Sequence, residues 1–111
     1  MLVDHRIYRT KPGMVSAQLE LFEKHGLAAQ VRHLGSPLAY LHADSGDLNT
    51  IVQLWVYADE ADRTRRRKAM QADPDWNAYL KLSRQADYLV QQNSSLMLPA
   101  QFAPLRFKAR D

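Results

Sequence analysis

The sequence predicts an α+β fold, a four-stranded antiparallel sheet with helices packed on one face, and three observations predict it. Period-two alternation marks strands at Leu2–Thr10 and Asn49–Tyr57. Two helix starts are signalled by Asp59 and by Asp73-Pro74. The order of elements along the chain is strand, helix, strand, strand, helix, strand, which is that of a ferredoxin-like unit.

Each element has its own local reason. In Leu2–Thr10, Asp4, Arg6 and Tyr8 fall on one face, and Val3, His5 and Ile7 on the other. Lys11-Pro12-Gly13 ends that strand, because proline has no N–H for the ladder and glycine accepts the turn. A helix follows, with Val15, Leu19, Phe22 and Gly26 at spacings of three and four and Glu20 placed four residues before Lys24. It continues through Ala28, Ala29, Val31 and Leu34, with Gly26 as a bend or close-approach point and Gly35 as its cap. Residues 38–44 read as a second strand, Ser45-Gly46-Asp47 as a turn, and residues 49–57 as the strongest strand, rich in β-branched and aromatic side chains. Asp59 caps a helix with Glu60 and Asp62 in its first turn, where the helix dipole favours negative charge. Asp73 and Pro74 start another, with Trp76, Tyr79 and Leu80 on its apolar face. Tyr88–Leu98 forms the last strand. Residues 1–98 are expected to be one domain and residues 99–111 a C-terminal arm.

Composition narrows the function classes. Hydrophobic residues make up 46% and charged residues 24% of 111 residues, which is the composition of a folded globular domain. The absence of cysteine excludes disulfides, thiolate metal sites and cysteine nucleophiles. No apolar run reaches the roughly 20 residues of a membrane helix, so a soluble, untargeted, cytoplasmic protein without membrane partners is expected. The net charge of +3 is concentrated at Arg63, Arg65, Arg66, Arg67 and Lys68. Acidic residues flank that run and no aromatics interleave it, so it is expected to be a solvated helix face, with Arg63 and Arg66 paired to Asp59 and Asp62, and not a nucleic-acid surface. His25 and His33 lie eight residues apart, too far for a helical metal pair, and no metal or cofactor is expected.

The two faces of the sheet raise the question of what covers them. With Val3, Ile7, Leu41, Val52, Leu54 and Val56 placed under the helices, the opposite face carries Arg6, Tyr8, Tyr40, His42, Ile51, Gln53, Trp55 and Tyr57. That face is too aromatic to stay wet, so a second copy packed sheet to sheet is expected, with a ligand cleft between the two sheets of a homodimer.

The ordered combination Asp4-x-Arg6-x-Tyr8, Lys11-Pro12-Gly13, Leu54-Trp55-x-Tyr57, Arg63, Arg66, Arg67 and Asp73-Pro74-x-Trp76-x-x-Tyr79, over residues 2–98, resembles the NIPSNAP family. The resemblance implies a dimeric α/β barrel of ferredoxin-like subunits. Bacterial members mostly lack an assigned reaction, and related barrels include cofactor-free monooxygenases, small isomerases and haem enzymes. No second feature of this sequence supports haem.

The ligand-binding candidates are Arg6, Tyr8, Tyr40, His42, Gln53, Trp55 and Tyr57. Arginine offers a fixed fork for a carboxylate and tyrosine a hydroxyl donor, while an imidazole works as a base near neutral pH. His42 as base and Arg6 as charge stabiliser are therefore the catalytic candidates. The leading expectation is small-molecule binding, with or without turnover. The alternatives are an enzyme resembling the cofactor-free monooxygenases or isomerases, and a non-catalytic scaffold whose inner polar groups are paired with one another.

Overall fold

Strand β1 (Leu2–Thr10) runs through the middle of the molecule, and the rest of the chain is built outward from it. A computed structural model describes residues 1–107, so the end of the expected C-terminal arm, residues 108–111, lies outside the described residues. After β1 come helices α1 (Val15–His25) and α2 (Leu27–Leu34), strands β2 (Ala39–His42) and β3 (Thr50–Tyr57), helices α3 (Glu60–Gln71) and α4 (Pro74–Ala86), and strand β4 (Leu89–Met97). The strand order is β2-β3-β1-β4 and every pairing is antiparallel.

Local signals place the helix ends. Asp59 accepts from the Asp62 N–H at 2.8 Å, and Asp73 accepts from the Asp75 N–H at 2.9 Å, each satisfying a donor that the first helical turn leaves free. Gly26 divides the first helical region, and its reason is contact. A Cβ there would lie 2.9 Å from ring carbons of both Phe22 and Tyr79, so only glycine lets α4 approach this closely. Gln18 and Phe22 are the buried residues of α1, Trp76 and Tyr79 those of α4.

The register shows which strand residues share a face. Arg6 pairs with Gln53 and Ser94, Tyr8 with Ile51 and Gln92, and Tyr40 with Gln53, so these stand on one side. Along β3, Ile51, Gln53, Trp55 and Tyr57 are buried while the residues between them are half-buried. The helices therefore cover the aromatic and polar face, the reverse of the expected arrangement. Val3, Ile7, Leu41, Val52, Leu54 and Val56 form the open face, with Leu41 53% exposed.

The reversal has a packing cause. The helices bring Phe22, Met70, Trp76 and Tyr79, and these bulky groups interlock with Trp55, Tyr57 and Tyr40. Phe22 stacks on Tyr40 with centroids 5.1 Å apart, and meets Tyr79 edge-on at 5.7 Å. The other face carries aliphatic side chains in its middle, with His5 and Arg9 of β1 and the polar Gln91, Asn93 and Ser95 of β4 beside them. Strand β4 sits at one edge of the sheet with every residue after Leu89 exposed.

Candidate functional site

Between the helices and the sheet lies a cavity of about 320 Å³, at the low end of the range for small-molecule sites. Its floor is Arg6 and Tyr8 of β1, Tyr40 of β2, and Ile51 and Gln53 of β3. Its roof comes from Gln18 and Phe22 of α1, Gln30 of α2, Arg67 and Met70 of α3, and Trp76, Tyr79 and Arg84 of α4. Leu89 and Gln92 bring the edge strand β4 into its wall.

Four of the seven candidates from the sequence meet here: Arg6, Tyr8, Tyr40 and Gln53. They converge under this chain's own helices, not in a cleft between two sheets, because the face that carries them is the covered one. Trp55 is 1% exposed and does not line the cavity, but its Nε1–H donates to Oε1 of Gln53 at 2.9 Å and holds that amide in place. Tyr57 lies further along β3, against a separate hollow of about 240 Å³ bordered by Val56, Asp62 and Arg66. His42 is exposed at the end of the edge strand β2 and lines neither cavity, since the helices do not extend over it. The pairing of its strand does put it on the cavity side of the sheet.

Buried charge is managed by a three-residue cluster. Asp4 is fully buried and its Oδ2 accepts from Arg6 Nη1 at 3.3 Å and from Arg63 Nε at 3.1 Å. Arg6 Nε donates to the Tyr8 hydroxyl at 3.0 Å, with the guanidinium carbon 5.9 Å from the Tyr8 ring centre. Burial works against the Arg6 charge, but Tyr8 and then Asp4 more than offset it, so Arg6 stays cationic above the ordinary guanidinium range. Burial also pushes the Tyr40 phenol well above its usual value, with Tyr79 and Tyr8 adding to the effect, and burial raises Tyr79 in the same direction. These phenols are hydrogen-bond donors at neutral pH, not bases.

The arginine run divides by position. Arg65 and Arg66 pair with Asp62 at 2.7 and 2.9 Å, as helical spacing suggests for Arg66. Arg63 turns instead to Asp4 on β1, while Asp59 serves as the helix cap. Arg67 reaches the cavity wall, so this helix is more than a solvated face. The lining residues include three arginines and no Asp, Glu, Lys or His. The helix contributions went unread in the sequence, although a signal existed. Gln18 stands four residues before Phe22 on the apolar stripe, which is an unusual place for an amide unless a polar interior awaits it. Among the described residues no group of His, Cys, Asp and Glu side chains is arranged to hold a metal, and no helix is long and apolar enough to cross a membrane.

Fold and site together define a ferredoxin-like α+β domain with an internal cavity between its helices and its sheet. The NIPSNAP family pattern matches residues 3–104, and the chain belongs to that family. It is 30% identical over 102 residues to the human protein NipSnap homolog 3B, covering 90% of this chain but only 40% of that relative's length. An uncharacterized NIPSNAP-like domain protein from Burkholderia xenovorans has a closely similar structure, with a TM-score of 0.88 and 34% identity, covering 99% of this chain and 94% of that one. An antibiotic biosynthesis monooxygenase shares the fold at 20% identity, with a TM-score of 0.60 over 90% of this chain and 99% of its own.

Proposed function

We propose that this NIPSNAP protein binds a small, flat, anionic organic molecule in the helix–sheet cavity of each subunit and works as a homodimer joined through its open sheet faces. The observation that carries the ligand reading is the charge of the lining, three arginines without a carboxylate, set among the rings of Phe22, Tyr40, Trp76 and Tyr79. A purely structural interior calls for a filled core, and an opening of about 320 Å³ is not that. The dimer reading is supported by the row of aliphatic side chains, Val3, Ile7, Leu41, Val52, Leu54 and Val56, on the sheet face that the helices leave uncovered.

Turnover of the bound molecule is the second reading. Arg6, fixed by Asp4 and Tyr8, is a preformed cation beside which negative charge on a bound substrate is stabilised. A monooxygenase on the same fold makes oxygenation of an electron-rich substrate the first reaction to assay.

Calorimetric titration of the purified chain with benzoate and with its neutral isostere benzamide tests the ligand reading. Tighter binding of the anion, lost in Arg67→Gln, is expected. Equal binding of both, or of neither, overturns it. Light scattering at micromolar concentration tests the dimer, and a monomer removes that part of the proposal.

A further inference from the structure

The polar hydrogens of the cavity can be assigned from groups that have no choice of role. A guanidinium only donates, so the Tyr8 hydroxyl accepts from Arg6 Nε at 3.0 Å. An indole N–H only donates, so Gln53 Oε1 accepts from Trp55 at 2.9 Å. The Gln53 amide is thereby oriented, and its Nε2 donates to the Tyr40 hydroxyl at 3.0 Å. Each phenol oxygen thus accepts a bond from behind and keeps its own O–H proton to give. Among the described residues neither Tyr8 nor Tyr40 has an acceptor for that proton, and both line the same cavity, which has no carboxylate in its wall.

We propose that Tyr8 and Tyr40 form a donor pair for an anionic oxygen carried on a flat ring, so that the ligand class is an ionised phenol, enol or aromatic carboxylic acid. This rests on the reading of the cavity as an anion site and goes further, naming the atoms that meet the oxygen. A hydroxyl that already accepts from Arg6 or from the Gln53 amide is a stronger donor, because hydrogen bonds in a chain polarise one another. The ring finds its place among aromatic neighbours: Phe22 and Tyr40 are stacked at an interplanar angle of 15°, and Trp76 and Tyr79 stand 5.1 Å apart by centroid. Arg67 and Arg84 add charge without occupying the phenol protons. Burial keeps the Tyr40 proton in place at neutral pH.

The test uses two probes, 4-nitrophenol and benzoate, with the full chain and the variants Tyr8→Phe, Tyr40→Phe and, as a control outside the cavity, Tyr88→Phe. Wild type is expected to favour 4-nitrophenolate over the neutral dye, so that the bound dye ionises at a lower pH than the free dye. Each cavity variant is expected to lose affinity for the anion by about tenfold and to return the dye's ionisation toward its free value, since a hydrogen bond to a charged group is worth more than a neutral one. The Tyr88→Phe chain is expected to match wild type. Losses confined to benzoate identify the carboxylate as the group received, and losses with the dye identify the phenolate or enolate. Should a Phe variant fail to fold, 3-fluorotyrosine at the same position keeps the shape while sharpening the donor, and tighter anion binding is expected. Folded cavity variants that bind both anions as wild type does, while Arg67→Gln and Arg84→Gln lose them, overturn the donor pair and leave the anion site standing. A wild-type chain that binds neither probe overturns both.

Discussion

Arg63 of α3 reaches down to β1 and donates through Nε to Oδ2 of Asp4 at 3.1 Å, tying the helix layer to the centre of the sheet through a fully buried carboxylate. The same oxygen accepts from Arg6, so one acid is the shared counter-ion of two cations. Asp4→Asn leaves Arg6 buried beside an amide, an uncompensated charge of the kind that costs about 3–5 kcal/mol. Denaturant unfolding is expected to show a loss of that order, and a change below about 1 kcal/mol contradicts the balancing role.

Gly26→Ala sets propensity against packing. Alanine gains about 1 kcal/mol of helix propensity over glycine. Its Cβ, however, arrives 2.9 Å from Phe22 and Tyr79, and forcing a methyl into such a contact costs about 1–3 kcal/mol. The rings cannot yield easily, because Phe22 is held by Tyr40 and Tyr79 by Trp76. A lower melting temperature is therefore expected, and a higher one shows that the α1–α4 contact has slack.

Acid sensitivity is expected at the start of α4. Asp73 is held down to a pKa of about 2, first by its bond with His33 at 2.7 Å, then by the Asp75 N–H and by Arg32. An unfolded aspartate titrates near pH ~3.9. A carboxylate whose folded pKa is depressed adds stability above the unfolded value and loses it as pH falls toward the folded one. Asp73→Asn is thus expected to lower stability at neutral pH and to flatten its fall between about pH 4 and pH 2. A variant with the wild-type slope in that window contradicts the assignment.

The open face gives a separable test of assembly. Val52 stands between Ile7 and Leu41 on the side away from the helices. Val52→Asp is expected to convert a dimer to a monomer in light scattering while leaving the circular dichroism of the subunit intact. A dimer that survives this change is held by some other surface.

The order of elements could be read from the residues because its signals are local. Asp59 and Asp73-Pro74 announce helices, and alternation separates Arg6 and Tyr8 from Val3 and Ile7. Alternation sorts residues into two faces but does not say which face the helices take. Aliphatic Val52, Leu54 and Val56 look like core by hydrophobicity, whereas the burial of Gln53 and Trp55 depends on what α1 and α4 present to them. For the same reason Arg6, Tyr8, Tyr40 and Gln53 could be grouped from strand spacing, while Gln18, Arg67 and Arg84 could not. Their part in the cavity exists only once helices and sheet are docked.

The central place of β1 also has a consequence in time. This strand precedes both of its neighbours in the chain, since its partner on one side begins at Thr50 and its partner on the other at Leu89, with Val3 finally meeting Met97. Contacts so distant along the chain close slowly, since much of the intervening segment must be ordered before they form. Arg6 and Tyr8 therefore wait until residues 89–97 are made with one edge of their strand unpaired, and β4 is the last of the four strands to complete the hydrogen-bond ladder.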